Sequence, residues 1–204
     1  MTPHPTMQQL FAGAPLSQVL AEHAYRATLR LADWPAAELL STPPADAVEQ
    51  LIKLARVTAP CLERGNAWLE PPAEVAPETV SSDKWAPAVI VTIFTLVIPV
   101  TGDRHLLTCS PSRLSGGPVE VEALTAPADT VRLVCDDPGS AEQARAYFEE
   151  MLDQIELQLE GIRADIQAHN QQMAKEIPAA VARRGAKLLR DRNLAAGIGY
   201  PILK

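Results

Sequence analysis

The sequence predicts an α+β fold, and three observations carry that prediction. Apolar residues recur at helical spacing through the first 55 residues, β-branched apolar runs separated by turn residues fill the middle, and an unbroken 3.5-residue repeat begins near Ser140. The expected architecture is a small antiparallel sheet of about four strands with N-terminal helices, a long C-terminal helix and a shorter basic helix after it. In sequence this divides into a helical region at 1–70, a Pro-rich loop at 71–87, the sheet at 88–137 and the two C-terminal helices at 138–204, most simply as one domain.

The first helix is expected over 16–32, "LSQVLAEHAYRATLRLA", where Leu16, Val19, Leu20, Ala24, Ala27 and Leu31 share a face and Trp34-Pro35 ends the run. A second follows in "TPPADAVEQLIKLARVTAP", with Asp46 as its N-cap, Val48, Leu51, Ile52 and Ala55 as its buried side, and Pro60 as its stop. Residues 71–87, "PPAEVAPETVSSDKWAP", can bury little and read as a surface loop.

Next comes "AVIVTIFTLVIPV", apolar on both alternating faces, as a strand covered on both sides requires. "TGDR" is turn chemistry and "HLLTCS" a partner strand. In "VEVEAL", Val119 and Val121 face inward while Glu120 and Glu122 face water. "DTVRLVC" completes a meander. The turn "DDPGS" then delivers Ser140 and Gln143, spaced as a capping box.

The helix that opens there is the most legible element. Phe148, Leu152, Ile155, Leu159, Ile162, Ile166, His169 and Met173 are spaced alternately four and three apart, the pattern of a coiled-coil seam. Two accounts stay open: the seam pairs with another chain, or it lies on the protein's own sheet and the following helix. Flanking positions form no complementary charge pairs, and Gly161 weakens the helix by about 1 kcal/mol relative to alanine. Pro178 is expected to open the second helix, whose apolar side is Ile177, Val181, Leu188 and Leu189.

Charge is distributed unevenly in a chain of net charge −7. Residues 175–204 hold seven cations against two acids, net +5, whereas 142–165 hold seven acids against two arginines, net −5. A fold-back at Ile177-Pro178 would set these two stretches side by side. Alternatively, Arg183, Arg184, Lys187, Arg190 and Arg192 could contact phosphates or a protein partner. No aromatic lies among those five residues to stack a base, and the acidic remainder would repel a polyanion.

Chemistry is not written into any motif. The chain has no GxSxG elbow, no GxxxxGK[ST] loop and no HExxH pair, and His4, His23, His105 and His169 are isolated. Cys61, Cys109 and Cys135 lie far apart without CxxC spacing, which argues against a disulfide framework or a cysteine zinc site. As neighbours on a strand, His105 and Cys109 would stand about 13 Å apart, too far to act as base and nucleophile. Asp136 and Asp137, after a strand, are better explained as a turn before a helix than as a magnesium site. No cofactor or metal is expected. The amino terminus has neither the basic nor the apolar region of a signal peptide, and the longest apolar run is too short for a membrane helix. A cytoplasmic protein is expected.

"IPVTGDRHLLTCSPS", then the long helix, then "IPAAVARRGAKLLRDRNLAAGIGYPI", resembles a module found in uncharacterised bacterial proteins ahead of toll/interleukin-receptor-like or restriction-nuclease-like effector domains. Ile98, Pro99, Gly102, Asp103, Pro111 and Ser112 carry the first motif. Arg183, Arg184, Leu188, Leu189, Asp191, Arg192, Gly199, Pro201 and Ile202 carry the second. The resemblance covers roughly 88–204 and implies a non-catalytic regulatory, sensing or assembly module, with anti-phage defence as one setting. The chain stops where an effector would begin, as a standalone relative or a fragment would. The expected function is protein–protein assembly through the long helix, with a second copy or an effector as partner. The alternatives are nucleic-acid binding through the basic helix, or a hydrolase whose site is not recognised.

Overall fold

In a computed structural model of the chain, residues 6–75, 91–113, 119–122 and 129–198 are described. The fold is α+β. It divides into two compact units, each assembled from segments distant in sequence: residues 1–16 with 58–165, and 17–57 with 166–204.

The first unit is organised around one strand. In chain order its strands are β1 (Met7–Leu10), β2 (Cys61–Leu62), β3 (Trp68–Leu69), β4 (Ala73–Val75), β5 (Val91–Thr101), β6 (Val119–Glu122) and β7 (Thr130–Asp136). The β-branched run of β5 makes it the longest strand and the hub. β7 pairs along one edge from Ile93↔Asp136 to Pro99↔Thr130, and β2, β3 and β4 share the other edge in turn. All these pairs are antiparallel, as expected. A simple meander is not what forms, because β6 pairs with β1 rather than with β5. Val119 and Val121 are fully buried while Glu120 stays exposed, so the period-2 pattern there reads correctly.

Other expectations also need correcting. "HLLTCS" is not a strand. Residues Arg104–Thr108 form a 3₁₀ turn whose N-cap Asp103 accepts a hydrogen bond from the His105 amide at 3.1 Å. Asp103 has more to gain from an amide two residues on than from extended backbone. Of the expected loop, Ala73–Val75 is strand β4, and residues 76–87 lie outside the described residues. The basic helix is not separate either. The long helix runs Ala141–Ile198 without interruption at Pro178, so the expected turn at Ile177-Pro178 does not form.

The second unit is helical. α1 (Leu16–Asp33, its first residue in the first unit), α2 (Ala36–Ser41) and α3 (Pro44–Ala55) enclose a core with the later part of α4 (Ala141–Ile198). Ala27, Leu31, Trp34, Leu39, Ala47, Leu51 and Ala55 pack there with Met173, Ile177 and Val181. α3 begins at Pro44 behind an N-cap at Pro43, so Asp46 lies in the first turn rather than at the cap. There its charge still complements the helix dipole. The capping box forms as read, with the Gln143 amide donating to Ser140 Oγ at 3.1 Å. Among the described residues no helix is long and apolar enough to cross a membrane.

Candidate functional site

The seam faces inward. Phe148, Leu152, Ile155, Leu159, Ile162, Ile166, His169 and Met173 are all buried in the single chain. Phe148 lines a cavity of about 370 Å³ with Phe94, Leu96 and Leu69, while Met173 belongs to the helical core. The 3.5-residue repeat therefore describes contact with the chain's own elements. The expectation that these eight side chains meet another chain is corrected on that point. Periodicity reports that a face is covered without saying by what.

Both motifs of the resemblance acquire structural roles. Gly102 turns the chain at φ +81, and Asp103 caps the 3₁₀ turn. Ser112 donates to the Asp165 carboxylate through both its amide (2.8 Å) and its hydroxyl (2.6 Å), fastening this segment to α4. Gly161 sits where the segment crosses: an added Cβ would lie 3.1 Å from the Arg113 carbonyl oxygen and 3.4 Å from Pro111 Cβ. The glycine that looked like a helix weakness is the point of close approach.

The five cations expected as phosphate or partner contacts separate. Arg184 donates to the Trp34 carbonyl oxygen at 2.9 Å, satisfying an acceptor just past the end of α1. Lys187 pairs with Asp191 at 2.6 Å. Arg183, Arg190 and Arg192 are exposed and have no charged partner among the described residues. Gly199, Pro201 and Ile202 lie outside the described residues.

Beside these arginines, α4 carries apolar residues that sequence reasoning placed in a buried face or did not single out. Leu189 is 42%, Leu194 69% and Ile198 62% exposed. Leu194 and Ile198 are four residues apart on adjacent turns. The signal for them was the "LLRDRNLAAGI" spacing, hidden by its charges. Leu189 also borders an apolar groove of about 580 Å³, walled on one side by α2 and α3 and on the other by α4.

Elsewhere the chemistry is structural. Arg132 on β7 holds Glu70 through two hydrogen bonds of 2.6 and 2.5 Å and also pairs with Glu122 on β6. Those bonds, chiefly to Glu70, push its pKa further up and keep it charged. Cys109 Sγ reaches the His105 carbonyl at 3.7 Å, and burial raises its pKa, which disfavours the thiolate a nucleophile needs. Asp136 is the last residue of β7, and Asp137 adopts φ +39 in the turn before α4, so the turn reading holds for Asp137. Among the described residues no group of three or more His, Cys, Asp or Glu side chains could hold a metal. Comparison with protein-family models, curated proteins and solved structures returned no match.

Proposed function

We propose that this chain is a non-catalytic assembly or regulatory module that binds another protein through the C-terminal part of its long helix. The observation that carries this reading is the pair of exposed Leu194 and Ile198, four residues apart on one face of the last turns of α4. Isolated short helical segments are marginal in water, and an apolar face on such a segment gains stability when a partner covers it. The active element thus shifts from the buried seam to the far end of the same helix. The resemblance adds a setting: a bacterial, cytoplasmic module of a defence system, working with a second copy or an effector.

A photo-reactive residue placed at Leu194 or Ile198 of the full chain, in producing cells, tests the reading. Protein adducts at these positions, well above those from the exposed control position Leu157, are expected. Equal yields at all three positions would overturn it. Nucleic-acid binding is the second reading, favoured by the exposed Arg183, Arg190 and Arg192. It predicts duplex DNA retention that falls steeply with salt and is lost in Arg183→Glu/Arg190→Glu.

A further inference from the structure

The apolar seam of α4 stops short of the start of the helix. Continued backwards from Phe148, its four-and-three spacing falls on Arg145 and Ala141, with Ala144 beside them. Two alanines leave open the kind of space that Phe148, Leu152 and Ile155 fill further along. Phe94 and Leu96 of β5 face that space and are only half-buried, and Leu69 of β3, the cross-strand partner of Leu96, is 58% exposed. The space is the cavity of about 370 Å³, and Glu149 completes its lining.

This cavity is apolar within and charged on one side. Arg145 and Glu149, one helical turn apart on the same flank of α4, both line it and both are exposed. Neither makes an ion pair or hydrogen bond with another described residue. With the cation first and the acid second, an i, i+4 pair is in its weaker order, which leaves both groups for a ligand. A ligand between them must offer an anion to the guanidinium and a cation to the carboxylate from neighbouring atoms, while the rest of it is apolar. A free α-amino acid with an apolar side chain has those features. The volume lies at the small end of ligand cavities, which span roughly 300–1,000 Å³, and so suits such a molecule better than a large cofactor. The larger groove at Gly185 and Leu189 has no charged lining residue to orient a ligand.

We propose that this cavity binds a free apolar α-amino acid, its carboxylate on Arg145, its ammonium on Glu149 and its side chain against Phe94, Leu96 and Phe148. The site uses the first turns of α4 and does not depend on how Leu194 and Ile198 act. Isothermal titration calorimetry of the full chain with L-leucine, L-methionine and L-phenylalanine tests it. At least one is expected to bind with a millimolar or tighter Kd. L-serine, phenylpropanoate and phenethylamine, which lack the apolar body or one of the charges, are expected to bind at least tenfold more weakly. Arg145→Gln and Glu149→Gln should each weaken the preferred amino acid at least tenfold. Ala144→Leu, which fills the cavity, should abolish binding with an unchanged helical circular dichroism spectrum. A Kd weaker than millimolar for all three amino acids, or phenylpropanoate bound as tightly as L-phenylalanine, would overturn the proposal. So would full affinity in either charge variant, and because both positions are exposed, those variants decide the matter even where Ala144→Leu does not fold.

Discussion

The imidazole Nε2 of His169 lies 3.0 Å from the carbonyl oxygen of Ala55, the last residue of α3. One residue along, Asn170 accepts from the Val57 amide at 3.1 Å and donates to the Val57 carbonyl at 2.9 Å. α4 thus satisfies, with consecutive side chains, the acceptors that a helix end leaves open. Because a carbonyl only accepts, Nε2 must carry the ring proton here. A histidine on an apolar seam is in this case a helix-end partner.

Replacing His169 by Leu keeps the volume roughly and strands a buried carbonyl. The expected loss is about 1–3 kcal/mol, the range for an unsatisfied buried acceptor. Asn170→Ala, which abandons both groups of Val57, should lose a comparable amount. Urea unfolding checks both, and His169→Leu matching wild type would mean that the Ala55 carbonyl finds another partner.

Gly102 combines φ +81 with close approach, since an added Cβ would sit 2.3 Å from the Ala59 carbonyl oxygen. Gly102→Ala must then strain the turn or displace the segment at Thr58, whose carbonyl accepts from Asp103. A loss of at least about 1 kcal/mol is expected, because alanine pays for the left-handed conformation and the contact must also move. Thermal unfolding reads it; an unchanged melting temperature would show that the turn can flip.

How much of this was readable in advance depended on element length. α1 and α3 were visible because buried residues repeat at helical spacing, four in α1 and three in α3, and β5 and β7 because long β-branched runs have few other homes. β2 and β3 contain two residues each and β4 three, too few for a period to exist. They owe their conformation to the free edge of β5. Similarly, a 3.5-residue repeat could not distinguish partner from self, and a lone glycine in a helix could not announce that Gly161 accommodates Arg113. The groove joins residues near 40 and near 185, a contact that no local pattern encodes.

Thiol chemistry should discriminate the three cysteines. Cys61 is exposed, whereas Cys109 and Cys135 are buried, and burial raises both of their pKa values. A raised pKa leaves less thiolate at any pH below it, so both lose reactivity on top of losing access. Titration of the native protein with a disulfide reagent at pH 8 should show one fast thiol, with the other two appearing only in denaturant. Three fast thiols would mean that the sheet around Cys135 opens readily.

Pro178 tests why α4 does not break. It lies within the helix between buried Ile177 and Val181, and a proline there removes one backbone hydrogen bond and crowds the preceding turn. Relative to alanine this is unfavourable by about 3 kcal/mol in a helix interior. Proline also restricts the unfolded chain, which offsets roughly 0.4–1 kcal/mol. Pro178→Ala is therefore expected to stabilise the fold by about 2 kcal/mol, with helical content unchanged or slightly higher. The core contacts of Ile177 and Val181 explain how the helix persists through the proline, since their burial is worth more than the single bond lost. Pro178 also lines the groove beside Gly185, which sets the alternative outcome. A destabilised Pro178→Ala variant would mean that the pyrrolidine ring props the groove wall, and that its packing there outweighs the backbone penalty.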